Sequence, residues 1–310
     1  EVIFHLFFIR KKTIKKIRLI FIMTIKNIVL SGGAYKGFYT IGALKYLTEN
    51  NFYNIENIEK IYGTSVGSVL GSLLCLKLNM DDLVEYAINK PWHKSFTFSI
   101  DTLLETISKK GFIERKFIEG IFENLLKGAG LNTKSTLLDL FNHSNIELNI
   151  FSVNMSEFKL ERFSYKTKPE MTVIDAVYRS CSMPFIFQPQ YVGKDCYVDG
   201  GVINPYPMNI CLEDLKKENP KFDNKEILGF KIVDDTLEPT KETASIFQFG
   251  FYMIYRLIKE NYNYVCNEEI PYELIIPSNL LSVSDAQNIV TSTGERRNLI
   301  HEGEKYAKLF

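Results

Sequence analysis

The chain has 310 residues, 45% hydrophobic and 24% charged, with 37 basic and 37 acidic side chains. This is enough for a sizeable core in one large or two small domains. Residues 1–22 hold six basic residues and one acid, which leaves 31 basic against 36 acidic in the remainder, and so mildly acidic a body gives no electrostatic case for a nucleic-acid partner.

The first segment, "EVIFHLFFIRKKTIKKIRLIFI", puts its apolar stretch before its charges, the reverse of a signal peptide. At about eight residues that stretch is too short to cross a bilayer as a helix. A basic amphipathic surface anchor is one reading. The preferred expectation is that Met23 is the start and that residues 1–22 are a leader or non-native extension outside the fold. From there "KNIVLSGG" predicts a strand that breaks at glycine, and "GFYTIGALKYLTEN" a helix closed by Asn50-Asn51. "IEKIYG" predicts a second strand. "VGSVLGSLLCLKL" is too continuously apolar for a surface helix and should be buried.

Further helices are predicted at "MDDLVEYAINK", which ends before Pro91, at "ERKFIEGIFENLLKGAG" and at "TLLDLFNHSN". "IELNIFSVNM" and "FKLERFS" predict strands. "TVIDAVYRSCSMP" predicts a Thr-capped helix that ends at Pro184, and "CYVDGG" a short strand entering a glycine turn. "PYPMNICLEDLKK" predicts a helix entered through proline, "EILGFKIV" a strand, and "SIFQFGFYMIYRLIKENYNYV" a long aromatic helix. Strands alternating with helices predict a mostly parallel sheet covered on both faces. The expected organisation is a catalytic core over about 26–235 and a helical C-terminal elaboration over about 240–310, within one domain spanning 23–310. The five cysteines are scattered with no CxxC pair, which predicts reduced, buried thiols in a reducing, cytoplasmic compartment.

Three glycine turns carry the chemistry. In "LSGGAYKG" (30–37) glycines between a strand and a helix expose backbone N–H groups, suited to a phosphate or to the oxyanion of acyl transfer. A plain tight turn is the competing reading. Neither GxxxxGK[ST] nor GxGxxG is met. In "GTSVGS" the GxSxG pattern of Gly63, Ser65 and Gly67 lies between a strand and an apolar helix, the nucleophile-elbow context. The alternative is a serine in a glycine-rich bend. In "YVDGGVINP" Asp199 ends a strand before Gly200-Gly201. A serine nucleophile needs a base, yet none of His5, His93, His143 and His301 sits at a strand end followed by a turn. A carboxylate serves if it reaches the hydroxyl. Asp199 is placed for that role, or else it is an Asx-turn residue bonding its own backbone.

Together these turns, with "RSCSMPFIFQP" before the third and "FSVNMSEFKLERFS" as a central hairpin, resemble the patatin-like phospholipase family over about residues 26–208. The resemblance implies an α/β fold, a three-layer α/β/α sandwich. It implies a Ser-Asp dyad with Ser65 as nucleophile and Asp199 as base, and an oxyanion loop at Gly32, Gly33, Ala34, Lys36 and Gly37. It implies phospholipase A-type ester cleavage through an acyl-serine, with no metal or other cofactor. The partners implied are a phospholipid or other acyl-lipid substrate and, peripherally, a membrane or micelle surface, with no activating protein specified. One departure matters. The family usually has a third glycine where Ala34 stands; an alanine is tolerated at negative φ, whereas at positive φ oxyanion stabilisation weakens.

Two aromatic stretches are candidate lips of an acyl groove. Residues 245–258 either cover the core or form such a lip, and "PWHKSFTF" (91–98) is the other candidate, through Phe96 and Phe98. Two alternatives remain beside the dyad hydrolase. One is a Ser-His-Asp esterase using His301. The other is a catalytically weak lipid-binding or interaction protein that keeps the fold.

Overall fold

A computed structural model describes residues 24–95, 108–234, 246–262, 268–278 and 288–310. Residues 1–22, Phe96, Phe98 and Cys266 lie outside the described residues. The strands are β1 (Asn27–Leu30), β2 (Lys60–Thr64), β3 (Glu147–Asn154), β4 (Lys159–Phe163), β5 (Gln190–Val192), β6 (Asp195–Asp199), β7 (Ile227–Asp234) and β8 (Glu273–Ser278). The helices are α1 (Gly37–Glu49), α2 (Val66–Cys75), α3 (Met80–Asn89), α4 (Arg115–Gly128), α5 (Leu137–Ser144), α6 (Val173–Cys181), α7 (Met208–Glu218), α8 (Ile246–Tyr262) and α9 (Thr293–Leu309).

The sheet runs β5-β6-β3-β2-β1-β7-β8, with β4 also on β3. The five strands from β3 to β8 are mutually parallel, and β4, β5 and β6 join antiparallel. Side chains alternate across it, as the period of two requires. Ile28, Leu30, Ile61, Leu148 and Ile150 enter the larger core with residues of α1, α2 and α6. Val29, Tyr62 and Phe151 face the other way, against Met208, Cys211, Leu212 and Leu215 of α7. The fold is therefore three layers, as expected. Each fully buried Ile, Leu or Phe contributes about 1.5–3 kcal/mol, so apolar residues are needed on both faces of β1 to β3, and the polar residues among them, such as Asn149 and Ser152, are buried too.

Local signals set the helix ends. Asn79 caps α3 by accepting from Asp81 N, and Thr136 with Asp139 forms a capping box on α5. Lys90, just before Pro91, is extended (φ −54°, ψ 131°) and stops α3.

The segment beyond residue 240 differs from the helical addition expected of it. Strand β8 adds to the parallel sheet beside β7. Helix α9 packs directly on α1: a Cβ at Gly42 would strike the Ile300 carbonyl, and one at Gly303 the Tyr39 carbonyl. The two backbones touch, and that contact ties the C-terminal helix to the core.

Candidate active site

The register of β3 brings the second and third turns together. Strand β4 occupies one edge of Ile150–Asn154, so β2, paired with Glu147–Phe151, and β6, paired with the adjoining Ser152–Asn154, both lie along its other edge. They approach from opposite directions. Thr64, the last residue of β2, is opposite Phe151, and Asp199, the last of β6, is opposite Ser152. Ser65 therefore follows one strand end and faces the other. Its Oγ donates to Asp199 Oδ2 at 2.6 Å.

Ser65 has φ 55° and ψ −125°, a conformation that side-chain-bearing residues adopt only when their surroundings enforce it. A Cβ on Gly63 would collide with the Gly67 carbonyl, and one on Gly67 with that of Leu30. Both glycines are thus sterically required where β2 turns into α2. Ser65 N–H donates to Ser180 Oγ (2.9 Å) and Ser65 O accepts from Ser68 Oγ (2.6 Å). Thr64 Oγ1 donates to the Asn204 carbonyl at 3.0 Å.

Asp199 is 1% exposed. Its Oδ1 accepts from Gly201 N–H at 2.7 Å, an Asx-type contact, while Oδ2 accepts from Ser65. The reach to a serine hydroxyl that a base needs and the Asx-type bond to its own backbone therefore coexist, one on each oxygen. Its own N–H donates to the Ser182 carbonyl at 3.0 Å. Burial pushes the carboxyl up to about 7, and the two hydrogen bonds, which favour the charged form, only partly oppose it. A Cβ on Gly200 would meet the Phe151 carbonyl, so this turn, too, presses against the strand.

The first turn lies beside Ser65, but its amides divide. A Cβ on Gly32 would be 3.3 Å from that of Ser65. Gly32 N–H, expected among the oxyanion donors, instead donates to the Pro205 carbonyl at 2.8 Å. Lys36 N–H donates to Gly33 O, and Gly37 N–H turns back onto the Ala34 and Tyr35 carbonyls. Among the described residues no acceptor is recorded for the N–H groups of Gly33 and Ala34. Ala34 has φ 51°. That is the left-handed conformation in which alanine is strained and glycine is not. The Lys36 side chain is buried, with Nζ 5.9 Å from the centre of the Tyr255 ring on α8.

Among the described residues no imidazole is brought to the site. His143 bonds the Leu76 carbonyl at 3.2 Å, His93 is exposed, and His301, exposed on α9, pairs with Glu304. The Ser-His-Asp alternative that required His301 is therefore corrected: that ring lies on the α9 surface. Among the described residues no group of His, Cys, Asp and Glu side chains is arranged to hold a metal.

The residues missed by sequence reading are the clamps. Ser180 and Ser182, at the end of α6, bond the backbones of Ser65 and Asp199. Ser152 Oγ donates to the Val198 and Arg179 carbonyls, fixing β6 and α6 to β3. The available signal was a run of small polar residues, Ser180-Cys181-Ser182, just before Pro184.

Comparison with known proteins bears on this geometry. The patatin-like phospholipase family model matches residues 28–212, more than half of the chain, and spans all three turns. The chain belongs to the patatin-like phospholipase family. An uncharacterized protein of Acanthamoeba polyphaga mimivirus is 32% identical over 198 residues, 62% of this patatin-like chain and 63% of its own length. The probable lipid hydrolase 463L of Invertebrate iridescent virus 6 is 27% identical over 198 residues, 63% of this chain and 66% of its own. The match thus spans a little under two thirds of these relatives' lengths. VipD from Legionella pneumophila superposes with a TM-score of 0.52 over 92% of this chain and 66% of its own, at 16% identity, which shows a shared fold.

Proposed function

We propose that this patatin-like chain is a lipid acyl hydrolase of phospholipase A type, working through a Ser65–Asp199 dyad. The observation that carries the reading is the 2.6 Å contact of Ser65 Oγ with an aspartate that is 1% exposed. As the O–C bond forms at the ester carbonyl, the Ser65 proton passes to Asp199 Oδ2, and the carbonyl oxygen takes up the negative charge. The N–H groups of Gly33 and Ala34 are suited to hold that charge, as are those of Val66 and Gly67 at the start of α2, which lie outside the intrahelical ladder. The positive end of the α2 dipole adds to this. Collapse expels the alcohol, which takes the proton from Asp199. Water then adds to the acyl carbonyl as it gives a proton to the same carboxylate, and collapse breaks the bond to Ser65 Oγ, which takes that proton back as the fatty acid leaves.

The same proposal places the protein in a reducing, cytoplasmic compartment with peripheral contact to membranes, and takes residues 23–310 as one domain. Among the described residues no helix is long and apolar enough to cross a membrane.

One observation favours a second reading, a weakly catalytic lipid-binding protein: Ala34 holds φ 51° within the loop that must meet the oxyanion. Incubating lipid extracts with wild type and Ser65→Ala separates the two. The hydrolase reading expects free fatty acid and lysolipid from wild type alone. Vesicle binding with no product from either chain would leave the second reading.

A further inference from the structure

Helix α8 has two faces with different surroundings. On its inner side Ile258 is buried and Tyr255 lies beneath Lys36 Nζ. A Cβ on Gly250 would be 3.1 Å from the Phe185 ring. The helix also packs against the Gly200–Val202 turn that follows Asp199. It therefore touches both the loop after β1 and the turn after β6, the two walls on either side of Ser65. On the outer side Phe249, Met253 and Leu257 recur every fourth residue and are 46%, 49% and 61% exposed. A repeat of four keeps side chains on one helix face. Phe185, at φ 68° and 39% exposed, continues the patch. Phe112, also 39% exposed, has its backbone next to Phe185, its N–H donating to the Ile186 carbonyl.

Isolated exposed apolar residues need no explanation, but a clustered apolar face does. We propose that the outer face of α8, extended by Phe185 and Phe112, docks the protein on a lipid bilayer that carries anionic headgroups. The choice of occupant rests on the acyl-hydrolase reading: what settles on this face lies directly over both walls of the site, and a lipid surface presents substrate there. Charge supports the same choice. The helix carries two bases, Arg256 and Lys259, against one acid, Glu260, and long basic side chains reach headgroups while their stems stay in apolar surroundings. An aromatic and aliphatic stripe beside basic residues on a surface helix suits an interface better than either bulk water or hydrocarbon.

The test uses the full-length Ser65→Ala chain, so that binding is read without turnover, and vesicles of phosphatidylcholine with phosphatidylglycerol in a flotation assay. Phe249→Ser, Met253→Ser and Leu257→Ser together should weaken binding by about tenfold or more. Leu257→Ser alone, at the most exposed of the three positions, should show a smaller loss with an unchanged melting temperature, which separates docking from misfolding. Leu309→Ser is the control: the residue is 87% exposed at the far end of α9, beside the Phe52–Phe310 contact. It should bind as the parent does. Omitting phosphatidylglycerol should weaken the parent. Unchanged binding by the triple variant, an equal loss in Leu309→Ser, or light scattering showing that α8 instead joins two copies of the chain would each overturn the proposal. Vesicle binding that depends on α8, in a wild type releasing no fatty acid, would keep the docking face and reject the hydrolase.

Discussion

Replacing Asp199 by Asn should stabilise the protein, and the gain should grow with pH. Asparagine keeps the shape: one side-chain oxygen still accepts from Gly201 N–H, and the amide meets Ser65 Oγ. What it removes is a buried charge. The Asp199 carboxyl titrates near 7 in the fold, against about 3.9 in an unfolded chain. The folded state holds this proton more tightly, so the stabilisation is fully present below about pH 4 and is lost as the pH rises through about 7. Linkage over that interval gives a cost of ionisation of about 1.5 kcal/mol near pH 5 and about 4 kcal/mol near pH 8. The difference between wild type and Asp199→Asn cancels every other titrating group. It should therefore widen by about 2.5 kcal/mol between those pH values, roughly 4–5 °C in melting temperature for a chain of this size. Paired thermal melts at several pH values measure it directly. Parallel melting curves for the two proteins would show that this carboxylate ionises like a solvated one, and would refute the burial argument.

The same buried carboxyl predicts that kcat/KM for a soluble ester rises with pH through an apparent value near 7 and then levels, because only the ionised base accepts the Ser65 proton. A profile already flat from about pH 5 upward would contradict it. Ala34→Gly relieves an alanine held at φ 51° and should raise stability by about 1 kcal/mol, read in denaturant unfolding; a loss of stability would show that the loop gains from the alanine. Gly42→Ala places a methyl against the Ile300 carbonyl and should destabilise by about 3 kcal/mol or more through separation of α1 and α9, with a lowered unfolding midpoint as the readout. An unchanged midpoint would mean that the C-terminal helix is not held by this crossing.

The sequence was most informative where one local rule dominated. Gly63 is readable as part of an elbow because a Cβ there collides with the Gly67 carbonyl four positions on, whereas the clash at Gly67 is with Leu30, far back in the chain; β1, β2 and β3 are readable from their β-branched and aromatic residues between glycine and asparagine breaks. The C-terminal part was harder to read for equally physical reasons. Strand β8 carries Pro277, which fits because, among the described strands, β8 pairs with β7 alone and stands at the sheet edge. Helix α9 meets α1 through Ile300 and Tyr306 with Gly303 between them, and its other buried positions are Arg296 and Ala307, so small and charged residues dilute the periodic signal that marks a packed helix. The long aromatic helix α8 was visible as a helix, but which of its faces is buried depends on Lys36 and the Gly200–Val202 turn, far away in sequence. At the site, the pairing of Ser65 with Asp199 spans 134 positions and depends on β3 register. The resemblance supplied that pairing; periodicity did not. The Ser180 and Ser182 clamps act on backbone groups, a contact with no sequence period, and the use of Gly32 N–H by Pro205 is visible only in three dimensions.

The central claim is that the Ser65 hydroxyl is made nucleophilic by the carboxylate beside it. Intact and peptide mass analysis after exposure to a fluorophosphonate tests this without knowledge of the natural lipid. A single adduct on the peptide carrying Ser65 in wild type, absent in Ser65→Ala and strongly slowed in Asp199→Asn, is the expected result. Labelling that persists in Ser65→Ala, or proceeds at the wild-type rate in Asp199→Asn, would contradict the dyad.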